Sequence, residues 1–210
     1  MFILDFDHTL YDTHLLSKSM KSVFLSYDIL LDDFEKSYKL AIYGENGNYV
    51  NYTFERQLKI LKKIGYSFDY NGVLDKLDAL LEENRLFDDT IDFLEFIKNL
   101  GLKNILLTAG NDKFQKKKIE AVGISDYFDD IKFVHNGKEK LVKSFFSPQN
   151  KLFFINDNLQ ENLAVKNTVA EVEVLTKKNQ YKNTEEELIK SGIPFFNNLT
   201  DIKKYVAGQV

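Results

Sequence analysis

Two aspartates, Asp5 and Asp7, directly follow a short apolar run near the beginning of the sequence. The run extends from Phe2 to Leu4, and it is typical of a strand that is buried on both faces. If strand geometry continues to Asp7, period-two alternation places both carboxylates on the same side. Two such acids repel each other and need a cation or a shared proton as compensation. The alternative is that the pair only ends a strand, because Asp is a common strand terminator.

A site that handles an anion would need three further parts: a hydroxyl beside backbone amides, a lysine and a third acid. Thr108 follows a later apolar run, and the amides around Ala109 lie where a helix begins, which suits a phosphate. Asp157 follows another apolar run, and Lys138 opens the predicted helix before that run. Taken singly, Thr108 could be a helix cap and Asp157 a loop acid. Their order and placement together indicate a site.

The elements that must position these residues alternate along the second half of the chain. Short apolar runs at 104–107, 131–134, 152–155 and 172–175 predict buried strands, and helical periodicity lies between them. This alternation predicts an α/β fold with a Rossmann-like parallel sheet and helices on both faces. The carboxyl ends of parallel strands meet at one edge of a sheet, so the candidate residues should meet there.

Residues 14–86 show a different pattern. They contain four segments of helical periodicity and no convincing strand, which predicts a small helical bundle. Thr53 or Asn51 could cap the third of these helices, and the fourth is expected at about 73–83. The predicted organisation is therefore a sheet domain formed by 1–13 and 87–210, with an all-helical subdomain inserted at 14–86.

The composition narrows the class of protein. Of the 210 residues, 44% are hydrophobic and 29% are charged, as in ordinary globular proteins. A net charge of −4 argues against a general nucleic-acid or anionic-membrane binder. The absence of cysteine excludes disulfides and thiolate metal sites. No apolar run reaches the length of a membrane span and no signal peptide is visible, so a cytoplasmic protein is expected, by default a monomer.

The four candidate segments together resemble the motifs of the haloacid dehalogenase superfamily. Asp5-Phe-Asp7-His-Thr9 is similar to motif I in its DxDxT form, and Thr108 is similar to motif II. Lys138 resembles motif III, although Lys140 and Lys143 lie on the same predicted helix and compete for that role. The segment from Ile155 to Glu161 resembles motif IV. The helical insertion also stands where phosphatases of this superfamily carry a helical cap.

The resemblance implies a magnesium-dependent phosphatase that forms an aspartyl-phosphate. Asp5 would be the nucleophile, and Asp7 would protonate the leaving oxygen and then take a proton from water. Thr108, Ala109 and Lys138 would hold the phosphoryl oxygens, and Thr9 would support the motif I turn. The implied ligands of Mg²⁺ are Asp5, the Asp7 carbonyl, Asp157 and Glu161.

Two parts of the resemblance differ from the usual pattern or stay open. Motif IV has Asn156 where glycine is usual, and either Glu161 or Asn162 stands at its second acid position. The cap should close over the site and select the substrate. Its candidate contacts are four residues for which a core or surface role is the alternative interpretation, and the one that the residue types favour: Tyr11, His14, Tyr43 and Tyr49.

Several reactions are compatible with these motifs. The expected substrate is a small phosphorylated metabolite, whose identity the sequence does not specify. A phosphomutase would form the same aspartyl-phosphate, but Thr9 is closer to the phosphatase pattern. A dehalogenase needs no metal and would have no use for Asp7. A catalytically idle binding protein is a further alternative, which the joint presence of Asp5, Asp7, Thr108 and Asp157 disfavours.

Overall fold

The computed structural model describes residues 1–47 and 50–209 of the chain. Six parallel strands form one sheet in the order β3-β2-β1-β4-β5-β6. The strands are β1 Phe2–Leu4, β2 Asn104–Ala109, β3 Asp130–Val134, β4 Phe153–Asn156, β5 Glu173–Lys177 and β6 Phe195–Phe196. The helices are α1 Thr13–Leu25, α2 Leu31–Tyr43, α3 Phe54–Lys63, α4 Tyr70–Leu80, α5 Thr90–Asn99, α6 Asp112–Ala121, α7 Lys138–Phe145, α8 Leu159–Thr168, α9 Glu185–Ser191 and α10 Leu199–Ala207. The predicted α/β fold is confirmed.

Strand β1 lies at the centre of the sheet between β2 and β4. Ile3 is in register with Ile105 on one side and with Phe154 on the other, and all three side chains are fully buried. A strand with neighbours on both edges and helices on both faces must be apolar throughout, which explains the short apolar run. This strand order is that of Rossmann-type sheets, in which ligands bind where the order reverses, beyond the carboxyl ends of the two central strands.

The chain separates into two compact units. One unit contains residues 1–12, 86–109 and 123–210, and therefore the whole sheet. The other contains residues 13–85 and 110–122, and therefore helices α1–α4 together with α6. Among the described residues, no helix is both long and apolar enough to cross a membrane. The interpretation of residues 14–86 as a cap stays a prediction.

The helical unit has an aromatic core that includes α6. The ring of Phe114 on α6 packs edge-on against Phe54 and Tyr52, with centroids 5.0 and 5.7 Å away. Gln57 is fully buried beside this cluster, and its amide donates to the Phe34 carbonyl at 3.2 Å. These contacts of Phe114 explain why α6 groups with helices from much earlier in the chain.

Hydrogen bonds within the sheet unit join the residues that precede the inserted segment to the residues that follow it. The carbonyl of Leu10 accepts from the Phe87 amide at 3.1 Å and from the Thr90 hydroxyl at 2.9 Å. Thr90 is fully buried, and Tyr11 forms an isolated antiparallel bridge with Leu86. The chain therefore leaves the sheet unit and returns to it at nearly the same point. These contacts form what we call the clasp.

The structure corrects the predicted elements in a few places. Helix α4 spans Tyr70–Leu80 rather than about 73–83. Of the two candidate caps for α3, Thr53 accepts from the Arg56 amide at 3.3 Å. Strand β6 and helix α9 were not predicted. A two-residue strand has no periodicity to detect, and α9 is signalled only by its capping box.

Candidate active site

Asp5 and Asp157 lie beyond the carboxyl ends of the two central strands, β1 and β4. The Asp5 amide donates to the Ile155 carbonyl at 2.9 Å, which ties the two strand ends together. Asp5 is 4% exposed and Asp157 is 2% exposed. The reversal of strand order between β1 and β4 therefore brings two buried carboxylates to the position where such sheets bind ligands.

Asp7 reaches this region through a turn. Strand geometry ends at Leu4, so the alternation expected between Asp5 and Asp7 does not apply. The carbonyl of Phe6 instead accepts hydrogen bonds from the amides of Leu10 and Tyr11, at 2.9 and 3.0 Å. His8 has a φ of 61° inside this turn, a left-handed conformation that costs energy for a side chain with a Cβ. Asp7 is half-buried at the start of the turn.

Lys138 is the cation nearest to Asp5. Its Nζ lies 2.6 Å from Oδ1 of Asp5 and 2.8 Å from Oε2 of Glu161, and the lysine is 4% exposed. Lys140 and Lys143, the competing lysines of α7, are exposed. The structure thus places Lys138, rather than Lys140 or Lys143, in contact with Asp5, and its role as the motif III lysine stays a prediction.

Burial and the neighbouring carboxylates disfavour the ionised form of Asp5. The pKa of Asp5 is raised to about 7, mainly by burial; Lys138 opposes this rise, and Asp157 and Glu161 add to it. Burial also lowers the pKa of Lys138, but the attraction of Asp5 and Glu161 outweighs burial and raises it overall. Lys138 is therefore a permanent cation, and one lysine does not fully compensate the acids around it.

Thr9 connects the two buried aspartates. Its hydroxyl donates to Oδ2 of Asp5 at 3.3 Å and accepts from the Asp157 amide at 3.1 Å, and Thr9 is fully buried. Both carboxylate oxygens of Asp5 are thus hydrogen-bonded, one by Lys138 and one by Thr9. The DxDxT spacing places this threonine between the ends of β1 and β4.

Thr108 lies near the end of β2, directly beside β1. It is fully buried, and within the described part of the chain its hydroxyl has no hydrogen-bond partner. A buried hydroxyl without a partner is costly, and an oxygen-rich ligand would satisfy it. Ala109 ends the strand half-buried, and Gly110 follows with a φ of 133°, where a Cβ would lie 2.9 Å from Nε2 of Gln115.

The donor set fits a magnesium ion with few protein ligands. In residues 1–47 and 50–209, no three His, Cys, Asp or Glu side chains form a cluster that could hold a metal ion. Asp5 and Asp157 are buried, and their charges act on each other. Mg²⁺ binds through one or two carboxylates and keeps several waters, so this pair suits it. Two buried carboxylates whose charges act on each other are the observation that favours a divalent cation.

Both candidates for the second acid position are held by contacts within the sheet unit, and Oδ1 of Asn162 is buried without a hydrogen-bond partner among the described residues. Oε2 of Glu161 accepts from Lys138 and from Nδ2 of Asn156 at 2.9 Å. Asn162 is fully buried, and its amide donates to the Asn156 carbonyl and to the hydroxyl of Thr176. In this structure Glu161 contacts the lysine, and Asn162 ties α8 to β4 and β5.

The residues expected to select the substrate lie in different environments. Tyr11 is fully buried in the sheet unit and packs against Phe6, with ring centroids 5.0 Å apart. His14 is exposed on α1, and Tyr43 is 50% exposed at the end of α2. Tyr49 lies outside the described residues. A role in substrate selection stays a prediction for these side chains.

Sequence reasoning missed a polar segment after β5 that contacts the site. Nδ2 of Asn179 donates to Oδ2 of Asp157 at 2.8 Å, and Nζ of Lys182 lies 3.1 Å from the same oxygen. Nδ2 of Asn183 donates to the Asp157 carbonyl at 3.3 Å. The signal was available, because β5 neighbours β4 in a parallel sheet and residues just beyond it must share the same edge.

A third lysine at this edge, Lys177, supports the motif I turn. Its Nζ donates to the His8 carbonyl at 3.1 Å and lies 3.4 Å from the ring centroid of Phe87. Burial lowers the pKa of Lys177 to about 8, although Asp89, Asp157 and Asp12 oppose this. The residue is 5% exposed. The ammonium thus holds a strained turn at a cost in desolvation.

This burial predicts a pH-dependent stability that the variant Lys177→Met should lack. Between about pH 8 and pH 10.5 the unfolded chain holds the lysine proton and the folded chain does not, so stability rises with pH. The unfolding free energy of the native protein, relative to Lys177→Met, should rise by about 2 to 3 kcal/mol across this window. Urea unfolding of the metal-free proteins measures it, and a constant difference would contradict the prediction.

Solved structures similar to this one cover nearly the whole chain. An L-2-haloacid dehalogenase from Xanthobacter autotrophicus has a TM-score of 0.64 at 17% identity, covering 100% of this chain and 98% of its own. A candidate β-phosphoglucomutase from Thermotoga maritima has a TM-score of 0.71 at 16% identity, covering 100% and 99%. The candidate HAD-hydrolase YfnB from Bacillus subtilis, bound to magnesium, has a TM-score of 0.59 at 20% identity, covering 97% and 96%. At these identities the likeness shows a shared fold.

The family of this protein is shown by its sequence rather than by its fold. A search of curated proteins found no match. The sequence model of the haloacid dehalogenase-like hydrolases matches residues 1–157, which include β1, β2 and β4 and the acids that follow β1 and β4. That range covers about three quarters of the chain, and the sheet order and central acids described above lie within it. The chain belongs to the haloacid dehalogenase-like hydrolases.

Proposed function

We propose that this hydrolase is a magnesium-dependent phosphatase that acts on a small phosphorylated metabolite through an aspartyl-phosphate. The observation that carries the proposal is the buried contact of Asp5 with Lys138. Asp157 lies beside Asp5, and Asp7 follows Asp5 by two residues in the sequence. Phosphoryl transfer needs a nucleophilic carboxylate held by a cation, a hydroxyl for the phosphoryl oxygens and a second acid. Asp5 with Lys138, the buried hydroxyl of Thr108, which bonds to none of the described residues, and Asp7 in the adjoining turn could supply them.

Each residue has a role in a two-step reaction. An oxygen of Asp5 attacks phosphorus, and the bond to the leaving oxygen breaks as Asp7 donates a proton to that oxygen. Water then attacks phosphorus in the aspartyl-phosphate, Asp7 accepts a proton from that water, and inorganic phosphate is released with the Asp5 carboxylate restored. The Thr108 hydroxyl, the amides around Ala109 and the Lys138 ammonium bind the phosphoryl oxygens while their charge shifts.

Asp5, the Asp7 carbonyl and Asp157 would hold the metal ion. When bound, Mg²⁺ would neutralise charge on the carboxylates and on the phosphoryl oxygens. The buried carboxylates of Asp5 and Asp157, whose charges act on each other, favour such an ion, and the similar YfnB structure contains magnesium. Glu161 supports the site through Lys138 rather than by direct ligation in this arrangement.

The same fold carries dehalogenases, so Asp7 is the residue that favours phosphoryl transfer. Displacement of a halide needs no proton on the leaving group, whereas an ester oxygen leaves far more readily when it is protonated. Asp7 stands two residues after the nucleophile candidate, in a turn that keeps it half-buried. A general acid at this position is useful to a phosphatase or a mutase and has no task in dehalogenation.

A cleft within the helical unit has a basic lining, which bears on the role in substrate selection that we propose for this unit. It has a volume of about 680 Å³, and its described lining contains more basic than acidic side chains. The basic residues are Arg56, Lys59, Lys113 and Lys117, and the acids are Glu55 and Asp78. Lys117 pairs with Asp78 at 3.1 Å, so the remaining cations exceed the remaining acid. We expect substrates whose leaving group carries a further negative charge to be preferred.

Phosphate release from a panel of phosphomonoesters, with Mg²⁺ and with chelator, tests the proposal. The panel should pair esters that differ only by an added carboxylate or phosphate, and it should include a 2-haloacid followed by halide release. Phosphate release that requires Mg²⁺ supports the phosphatase. Metal-independent halide release would establish a dehalogenase instead. Interconversion of sugar phosphates without net phosphate release would establish a mutase.

The role of Asp7 predicts a dependence on the leaving group. Asp7→Asn should slow phosphate transfer from an alkyl phosphate by about 10²- to 10⁴-fold, the usual contribution of a general acid. Transfer from an aryl phosphate should slow much less, because a phenolate leaves without protonation. Burst kinetics with an aryl phosphate measure this first step. Equal losses with both esters would show that Asp7 has another function.

A further inference from the structure

A five-residue segment after β5 contacts Asp157 on two sides. Within residues 179–183, Asn179 and Lys182 both contact Oδ2 of Asp157, and Asn183 contacts its carbonyl. The amide of Lys182 donates to the Asn179 carbonyl at 3.1 Å, which folds the segment into a turn. A buried carboxylate thus has an ammonium from its own chain as its counter-ion.

The ammonium of Lys182 lies in the field of all three acids of the proposed metal site. Burial lowers its pKa, but Asp157, and then Asp5 and Asp7, outweigh burial and raise it overall. The Lys182 side chain is 43% exposed, whereas that of Asp157 is 2% exposed. The lysine can therefore move its ammonium into solvent, while Asp157 stays buried.

We propose that Lys182 is the counter-cation of Asp157 in the metal-free protein, and that a divalent cation must displace its ammonium in order to bind. This inference rests on the proposed function, since it assigns Asp157 to the metal site. Lys182 neutralises the buried carboxylate when no metal is present, so the sheet edge stays folded. It also weakens the binding of the metal, because the Lys182 ammonium must either move away from Asp157 or repel the divalent cation that binds there.

Calorimetric titration with Mg²⁺ alone tests this without turnover. Lys182→Met should bind Mg²⁺ about tenfold more tightly than the native protein. Lys178→Met is the matched control, because Lys178 directly precedes this segment but pairs with Glu185 at 3.0 Å. The control makes the same change in net charge and should alter the affinity by less than about twofold. Lys182→Gln, which keeps a donor but loses the charge, should behave like Lys182→Met.

Thermal unfolding gives a second readout. Without metal, Lys182→Met should unfold at a lower temperature than the native protein, and saturating Mg²⁺ should raise its midpoint by more than it raises the native midpoint. Unchanged or weaker Mg²⁺ binding in both Lys182 variants would overturn the inference and leave the phosphatase proposal standing. A native protein that binds no Mg²⁺ would instead overturn the proposed function, and this inference with it.

Discussion

Replacing Asp5 with Asn should abolish magnesium-dependent phosphate release, with a loss of at least about 10³-fold in kcat. Asparagine has the size of aspartate and can still contact Lys138 and Thr9, but its amide does not attack phosphorus. The loss should appear as complete absence of phosphoenzyme in rapid-quench experiments with a labelled ester. Phosphate release on the best ester of the panel gives the steady-state measure.

The control for this variant must separate chemistry from folding. Asp92→Asn removes a carboxylate that is 69% exposed and pairs with Lys203 at the surface, so it should keep full activity. Asp5→Asn should itself stay folded, because it removes a buried charge and keeps the side-chain volume. Phosphate release near the native rate by a folded Asp5→Asn protein would exclude Asp5 as the nucleophile.

Replacing Lys138 with Met should impair both stability and activity. Asp5 and Glu161 would each lose an ammonium within 2.8 Å, and breaking a buried ion pair by removing one partner costs about 3 to 5 kcal/mol. The pKa of Asp5 should rise further, because Lys138 is the group that lowers it. Phosphoryl oxygens would also lose a cation, so kcat should fall by about 10²- to 10³-fold.

Urea unfolding of the metal-free protein and steady-state kinetics measure the two effects of Lys138→Met. Lys140→Met and Lys143→Met are matched controls on the same helix, since both side chains are exposed. Each should change the unfolding free energy by less than about 0.5 kcal/mol and leave kcat intact. A loss of activity in either control that matched the loss in Lys138→Met would contradict the assignment of Lys138.

The sheet and its edge could be predicted because parallel strands impose strong rules. Short apolar runs separated by helices specify a doubly covered sheet, and the carboxyl ends of its strands must lie together. Asp5, Thr108 and Asp157 each follow such a run within a few positions. Their convergence on one edge therefore follows from topology.

Side-chain reach and turn geometry could not be predicted in the same way. Helical periodicity marks Lys138 as the start of α7, but it does not show which of three nearby lysines has its Nζ at Asp5. The position of Asp7 depends on a turn with a left-handed residue at His8, whereas alternation along a strand would have placed it differently. Lys182 belongs to none of the four motifs. Its approach to Asp157 can be inferred only when β5 is placed next to β4.

The clasp has a consequence for chain entropy. It holds Leu10 against Phe87 and Thr90, so the residues between them form a loop whose ends are already together. Closing a flexible loop costs free energy that grows only with the logarithm of its length, about 0.6 kcal/mol for each doubling. The inserted helices could therefore be lengthened, shortened or exchanged with little effect on the cost of pairing β1 with β2. Selection could then change the helical unit in size and sequence while the catalytic sheet edge keeps its stability.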